Sequence, residues 1–278
     1  MILQLSHQTL DLGEPRVMGV LNVTPDSFSD GGSHAGVEAA LRRARDMLAE
    51  GAAIIDVGGE STRPGAAPVA EQEELDRVVP VIERIVRELG CPVSVDTMKP
   101  AVMDAACAAG AGLINDVYAL RAPGAIEVAR RHGAAVCLMH MQGEPRGMQQ
   151  NPQYGDVVEE VRGFLERRAR ACEAGGIAAQ AIVLDPGIGF GKTDAHNLSL
   201  LARLDALLAL GKPLLLGVSR KSMFGRLLSL PLERRLHPGL AAAAIAAWQG
   251  VRLIRAHDVA ATVEAMKMTA KILQAREQ

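Results

Sequence analysis

Aromatic side chains are scarce in this 278-residue chain: one Trp, two Tyr and four Phe, 3% of the whole. So few rings leave little on which to stack nucleic-acid bases. An excess of one charge is missing too. Thirty Lys and Arg face 32 Asp and Glu, a formal net charge of −2, and no basic face or stripe of a nucleic-acid binder is to be expected. Cysteine is sparse and unpaired: Cys91, Cys107, Cys137 and Cys172 form no CxxC. That argues against a zinc module or disulfide framework and leaves reduced, partly buried thiols in a cytoplasmic protein. No basic segment followed by an apolar one opens the chain, so it reads without a secretion signal. The most apolar stretch, 239–248, is about half of what a membrane span needs.

What the chain does have is a repeating grammar. Short runs rich in Val, Ile and Leu recur at 17–22, 54–58, 93–96, 113–117, 135–140, 182–185, 214–218 and 253–257. Runs of this length and composition suit strands buried on both faces. Between them lie segments with helical spacing, at 37–50, 71–89, 100–109, 123–132, 156–174, 197–210, 239–249 and 259–274. Residues 37–50 carry Val37, Ala40, Leu41, Ala44, Met47 and Leu48 on one stripe, with Arg42, Arg43 and Arg45 largely off it. No composition break or linker interrupts the series, so residues 1–278 read as a single α/β domain. A doubly wound open sheet shares this alternation, but eight repeats in so short a chain favour closure into a (β/α)8 TIM barrel. Weak alternation over 2–12 predicts a short N-terminal β-hairpin covering the barrel bottom.

The apolar strands change character at their C-terminal ends. Asn22, Asp56, Asp96, Asn115, Asp116, His140, Asp185, Ser219, Arg255 and His257 lie at or near those ends. In a parallel barrel the ends converge on one rim, where active sites are built. A single Asp after a strand is often only a helix cap. A whole series in register is harder to explain that way, because a carboxylate buried among Val and Ile needs a partner. Two polar, glycine-rich loops, 22–32 and 58–65, reach the same rim, and such loops can turn backbone N–H groups toward an anion. Thr62 and Arg63 beside Arg255 and His257 would make a cationic pocket the size of a diphosphate. The segment DPGIGFGKT at 185–193 resembles a phosphate-binding P-loop, but Pro186 stands where that motif requires glycine. His140, between Met139 and Met141, has no second His or Cys at ligand spacing, so a packing or hydrogen-bonding role fits it better than metal ligation.

Carboxylates, an asparagine and a lysine at the bottom of an apolar cup suit a flat polar heterocycle. A carboxylate is an acceptor-only fork that matches an amino group and the adjacent ring N–H of an aminopyrimidinone. Lys221 can donate to a ring carbonyl, and the plane of Arg255 can stack on the ring while reaching a phosphate. The set points to a pterin-like or guanine-like ligand carrying an anion.

In its motifs the chain closely resembles the dihydropteroate synthase family, from about Met18 to the last helix. They are GVLNVTPDSFSDG at 19–31, IDVGGESTRPG at 55–65, VDT at 95–97, INDV at 114–117, LMHM at 138–141, LDPGIGFGK at 184–192, GVSRKS at 217–222 and IRAHD at 254–258. The resemblance implies condensation of p-aminobenzoate with 6-hydroxymethyl-7,8-dihydropterin diphosphate. Asp96, Asn115, Met139, Asp185, Lys221 and Arg255 then correspond to the pterin pocket, and Asn22, Thr62, Arg255 and His257 to the diphosphate site. Asn22 would also face a Mg²⁺ cofactor. Phe28, Thr62, Arg63, Pro64, Phe190, Lys221 and Ser222 correspond to the p-aminobenzoate walls. Asp96, Lys221, Arg255 and His257 are the expected catalytic set. The resemblance further implies a homodimer through late helices, competition by sulfonamides, and no nucleic-acid or membrane partner. The nearest enzyme alternative is a methyltetrahydrofolate-binding barrel, which shares the pterin cup but has no use for Thr62, Arg63 and His257. An alternative of another class is a pterin-binding protein without catalysis, against which the intact polar set speaks.

Overall fold

In a computed structural model, the chain is described at residues 1–24, 34–61, 68–143 and 147–276. Its first elements, β1 (Ile2–Gln4) and β2 (Thr9–Asp11), pair antiparallel as the expected hairpin. Leu3, Leu5, Leu10 and Leu12 on it are buried. A Cβ on Gly112, just before a barrel strand begins, would lie 3.3 Å from Leu5, which puts the hairpin under the N-terminal ends of the strands.

Eight parallel strands follow: β3 (Arg16–Asn22), β4 (Ile54–Gly58), β5 (Val93–Asp96), β6 (Leu113–Asp116), β7 (Ala135–Met139), β8 (Ile182–Asp185), β9 (Leu215–Gly217) and β10 (Leu253–Ala256). Their order is β8-β7-β6-β5-β4-β3-β10-β9, and a parallel bridge between Leu184 and Leu214 joins β8 to the start of β9. The sheet therefore closes into the expected barrel rather than lying open. Strands such as β4, β5 and β8 are buried at every position, because one face fills the barrel and the other lies under helices.

The helices are α1 (His34–Ala49), α2 (Glu71–Leu89), α3 (Pro100–Ala108), α4 (Ala125–His132), α5 (Val157–Ala174), α6 (Asp194–Ala202), α7 (Leu204–Leu208), α8 (Ser222–Leu228), α9 (Leu236–Gln249) and α10 (Val259–Arg276). On α1 the stripe Val37, Ala40, Leu41, Ala44 and Met47 is buried, as its spacing requires. Three expectations need correction. The helix expected over 197–210 breaks at Arg203, whose φ of −125° and ψ of 42° leave helical space, giving α6 and α7. The seven-residue α8 was not expected. It is too short to display a period, and it ends in exposed Leu227 and Leu228. Finally, α9 starts at Leu236, three residues before Gly239.

Candidate active site

Strand register collects the polar residues at one end of the barrel. Asn22 pairs with Gly58, Gly58 with Asp96, Asp96 with Asn115, and Met139 with Asp185. Arg255 enters from β10 and is held between two acids. Its Nε donates to Asp56 Oδ2 and its Nη2 to Asp96 Oδ2, both at 2.6 Å. Asp56, fully buried inside β4, also accepts from Ser94 Oγ at 2.6 Å and from Asn115 Nδ2 at 3.2 Å. A buried ion pair tolerates its desolvation only when its remaining lone pairs are satisfied, and Asp56 meets that condition. Burial opposes the charge on Arg255, but Asp56 and Asp96 outweigh it and hold the guanidinium protonated.

Asp96 differs from Asp56. Its Oδ1 is buried without a hydrogen-bond partner, and burial lifts its carboxyl up to about 7 against the pull of Arg255. Across the cup, Asp185 at the end of β8 accepts from the Gly187 N–H at 2.7 Å. Burial raises its pKa as well, opposed by that N–H and then by Lys221 and Lys192. Met139 joins Val117, Met141 and Met148 in a small apolar cluster against which Phe190 packs. Lys221, just before α8, places its Nζ 4.4 Å from the centre of the Phe190 ring. Beside them Ser222, the first residue of α8, is exposed and accepts from Arg226 Nη1 at 3.0 Å.

At the other side of the rim Asn22 and His257 line one cavity of about 550 Å³ together with Arg43, Arg220 and Asp258. Ser219 Oγ accepts from the His257 N–H at 3.2 Å and lies 3.1 Å from its Nδ1, while Arg43 Nη2 donates to the His257 carbonyl at 3.3 Å. Phe28, Thr62, Arg63 and Pro64 lie outside the described residues. The structure thus brings together Asp96, Asn115, Asp185, Met139, Phe190, Lys221 and Arg255, with Asn22 and His257 lining a cavity at the other side of the rim.

Two polar rim residues do other work. Asp116 caps a turn, accepting from the N–H groups of Tyr118 and Leu120 at 2.7 Å each. His140 faces the buried Lys192 at 2.9 Å, a hydrogen-bonding role as expected. Asp56 and Ser94 are site residues that sequence reading did not assign. The available signal was a carboxylate two residues inside an apolar strand, which cannot stand there unpaired.

A closed parallel barrel with buried acids around an arginine at the C-terminal ends of its strands defines a class: barrel enzymes whose active site lies on that face. Residues 18–257 match the family of pterin binding enzymes. Dihydropteroate synthase of Escherichia coli K12 is 54% identical over 270 residues, spanning 97% of this chain and 95% of that protein. The crystal structure of Yersinia pestis dihydropteroate synthase with a sulfonamide drug complex superposes with a TM-score of 0.93 at 52% identity, covering 99% of this chain and 100% of that one. Dihydropteroate synthase from Xanthomonas albilineans in complex with 7,8-dihydropteroate gives 0.89 at 47% identity, with 99% of each chain covered. The chain belongs to the pterin-binding enzyme family, among its dihydropteroate synthases.

Proposed function

We propose that this barrel joins p-aminobenzoate to 6-hydroxymethyl-7,8-dihydropterin diphosphate, forming 7,8-dihydropteroate and releasing diphosphate. The observation that carries this reading for the site is the buried, unpartnered Oδ1 of Asp96, set in one cup with Asn115, Asp185 and Lys221. An acceptor without a donor at the bottom of an apolar cup calls for a ligand N–H.

In this reading Asp185 and Asp96 accept from the pterin's amino and ring N–H groups, Asn115 both gives and takes, and Lys221 donates to the ring carbonyl. Arg255, fixed by Asp56 and Asp96, presents its plane to the ring and its charge toward the leaving group. The arylamine is neutral at pH 7 and needs no strong base before it attacks. The demanding event is cleavage of the bond between the methylene carbon and the diphosphate oxygen, which leaves positive character on carbon. The amine nitrogen forms the new bond to that carbon, its surplus proton leaves to solvent, and Arg255 and His257 stabilise the departing diphosphate.

The rim also fits Mg²⁺. Asn22 ends β3 and lines the same cavity as His257, and a side-chain amide oxygen is a ligand type suited to a hard cation. Mg²⁺ is held by few protein ligands when substrate phosphates supply the rest. Asn22 would hold the ion, and when bound it supplies charge neutralisation on the diphosphate.

The walls of the p-aminobenzoate site include Phe190, Lys221 and Ser222; Phe28, Thr62, Arg63 and Pro64, which the family resemblance adds, lie outside the described residues. Sulfonamides, as arylamine mimics, compete there. A homodimer forms through α9 and α10, whose exposed Ile245, Trp248, Met268 and Ile272 support a shared apolar face. Four unpaired cysteines are consistent with a reducing cytoplasm, and no helix among the described residues is long and apolar enough to cross a membrane. The function is tested by chromatography of a reaction containing both substrates: 7,8-dihydropteroate is the expected product. Tight pterin binding without that product would favour the non-catalytic alternative.

A further inference from the structure

The glycine-rich turn after β8 runs from Pro186 to Gly191 and is followed by Lys192, the lysine of the P-loop look-alike. That lysine points inward and is 1% exposed, ranking among the largest fully buried side chains. Its Nζ lies 2.9 Å from His140 Nδ1, 3.2 Å from the His140 carbonyl, 3.0 Å from the Gly187 carbonyl and 3.0 Å from the Phe190 carbonyl. Burial pushes its pKa down to about 7; when protonated it has three hydrogens and no acceptor, and every one of them has a partner. None of these partners is a carboxylate. A cation this deeply buried is costly unless fully hydrogen-bonded, and here its bonds go to backbone oxygens that sit at two points of the turn and at the end of β7.

The backbone around it leaves no slack. A Cβ on Gly187, whose φ is +67°, would come within 1.9 Å of the His140 carbonyl, and one on Gly191, with φ +59°, within 2.6 Å of the Gln142 carbonyl. From outside, Tyr154 Oη donates to the Gly191 carbonyl at 2.7 Å, and Asn197 Oδ1 accepts from the Gly189 N–H at 2.8 Å. Phe190 sits inside this braced turn, under the Nζ of Lys221. His140 is neutral, since burial and then the Lys192 charge push it down to about 3, so its Nδ1 is free to accept.

We propose that Lys192 is a positioning residue for the arylamine half of the reaction: its buried amino group ties the 186–191 turn to the end of β7 and thereby sets Phe190 for the second substrate. This rests on the reading that Phe190 contacts p-aminobenzoate. Lys192 itself does not touch substrate. Asp96 and Asn115 of the pterin floor stand on other strands, and Asp185 belongs to β8 itself, its tie to the turn being the Gly187 N–H. Loss of Lys192 should therefore weigh more heavily on p-aminobenzoate than on the pterin.

The test is Lys192→Met, which keeps the length of the stem and removes all three donors. At saturating pterin diphosphate, the KM for p-aminobenzoate should rise about tenfold or more, the scale of one or more lost hydrogen bonds. The Kd for 6-hydroxymethyl-7,8-dihydropterin in calorimetry should stay within about threefold, a change of less than one hydrogen bond. An unchanged KM, or equal losses for both ligands, would overturn the proposal. Tyr154→Phe guards against a variant that does not fold: it removes one strut from the same turn and should raise the p-aminobenzoate KM about two- to fivefold, with pterin affinity unchanged. Failure of Lys192→Met to fold together with an unaltered KM in Tyr154→Phe also overturns it. Wild-type protein that makes no dihydropteroate contradicts the functional reading beneath it, whereas active wild type with unaffected variants contradicts this inference alone.

Discussion

Asp96 and Asp185 are both buried carboxylates at strand ends, yet they are engaged differently. Asp96 spends one oxygen on Arg255 and keeps the other unpartnered, while Asp185 accepts a single backbone N–H. Replacing Asp185 by Asn keeps the shape but turns half of an acceptor-only fork into a donor. That change should cost about 1.5–3 kcal/mol of pterin affinity, and unchanged affinity in a binding titration would remove Asp185 from the pocket. His140 makes a pH prediction. Its folded pKa is depressed from the ordinary 6.5 to about 3, so between those values the unfolded chain binds a proton that the folded chain does not. Stability is therefore lost as pH falls below about 6.5, with a slope from this group of up to about 1.4 kcal/mol per pH unit. Urea unfolding from pH 7 to 4 should show a shallower loss in His140→Asn than in the wild type; equal slopes would mean that His140 is protonated in the fold. Most of the pocket was legible because acids at strand ends stand out against apolar neighbours. The roles of Asp56 and Lys192 were not, because their partners, Arg255 199 residues away and the His140 side chain 52 residues away, meet them only after the barrel closes.

At the scale of elements, strands were easier to read than helices. Each barrel strand is rich in apolar residues with a polar residue at or near its C-terminal end, and the structure trims such runs by a residue or two: 113–117 becomes Leu113–Asp116 and 135–140 becomes Ala135–Met139. Long amphipathic helices such as α2 announce themselves by period. The short α8 does not, since seven residues span barely two turns, and its place is fixed by tertiary contact instead. A Cβ on Gly225 within it would lie 2.4 Å from the Arg235 guanidinium. The break at Arg203 was equally hidden, because leucines continue on both sides of it. The β8 turn carries the most chemistry per residue. One end fixes Asp185, the middle holds Phe190, and Lys192 closes it, which explains glycines where a P-loop was only mimicked.

On the scale of the whole molecule, closure of the barrel turns scattered strand ends into one cup, with Asp56 and Asp96 gathered on the guanidinium of Arg255. A net charge of −2 conceals that local clustering of charge. The proposed dimer face lies away from the rim, on α9 and α10. Introducing a charge there, as in Ile245→Glu with Met268→Glu, should shift sedimentation from dimer to monomer, whereas a wild-type monomer at micromolar concentration would rule the dimer out. The central claim concerns what the cup does. Diphosphate release is the most direct measure of it, followed with pterin diphosphate in the presence and absence of p-aminobenzoate. Release should require p-aminobenzoate and match dihydropteroate formed, mole for mole. Diphosphate released at the same rate without p-aminobenzoate, or none released while the pterin binds tightly, would contradict the account.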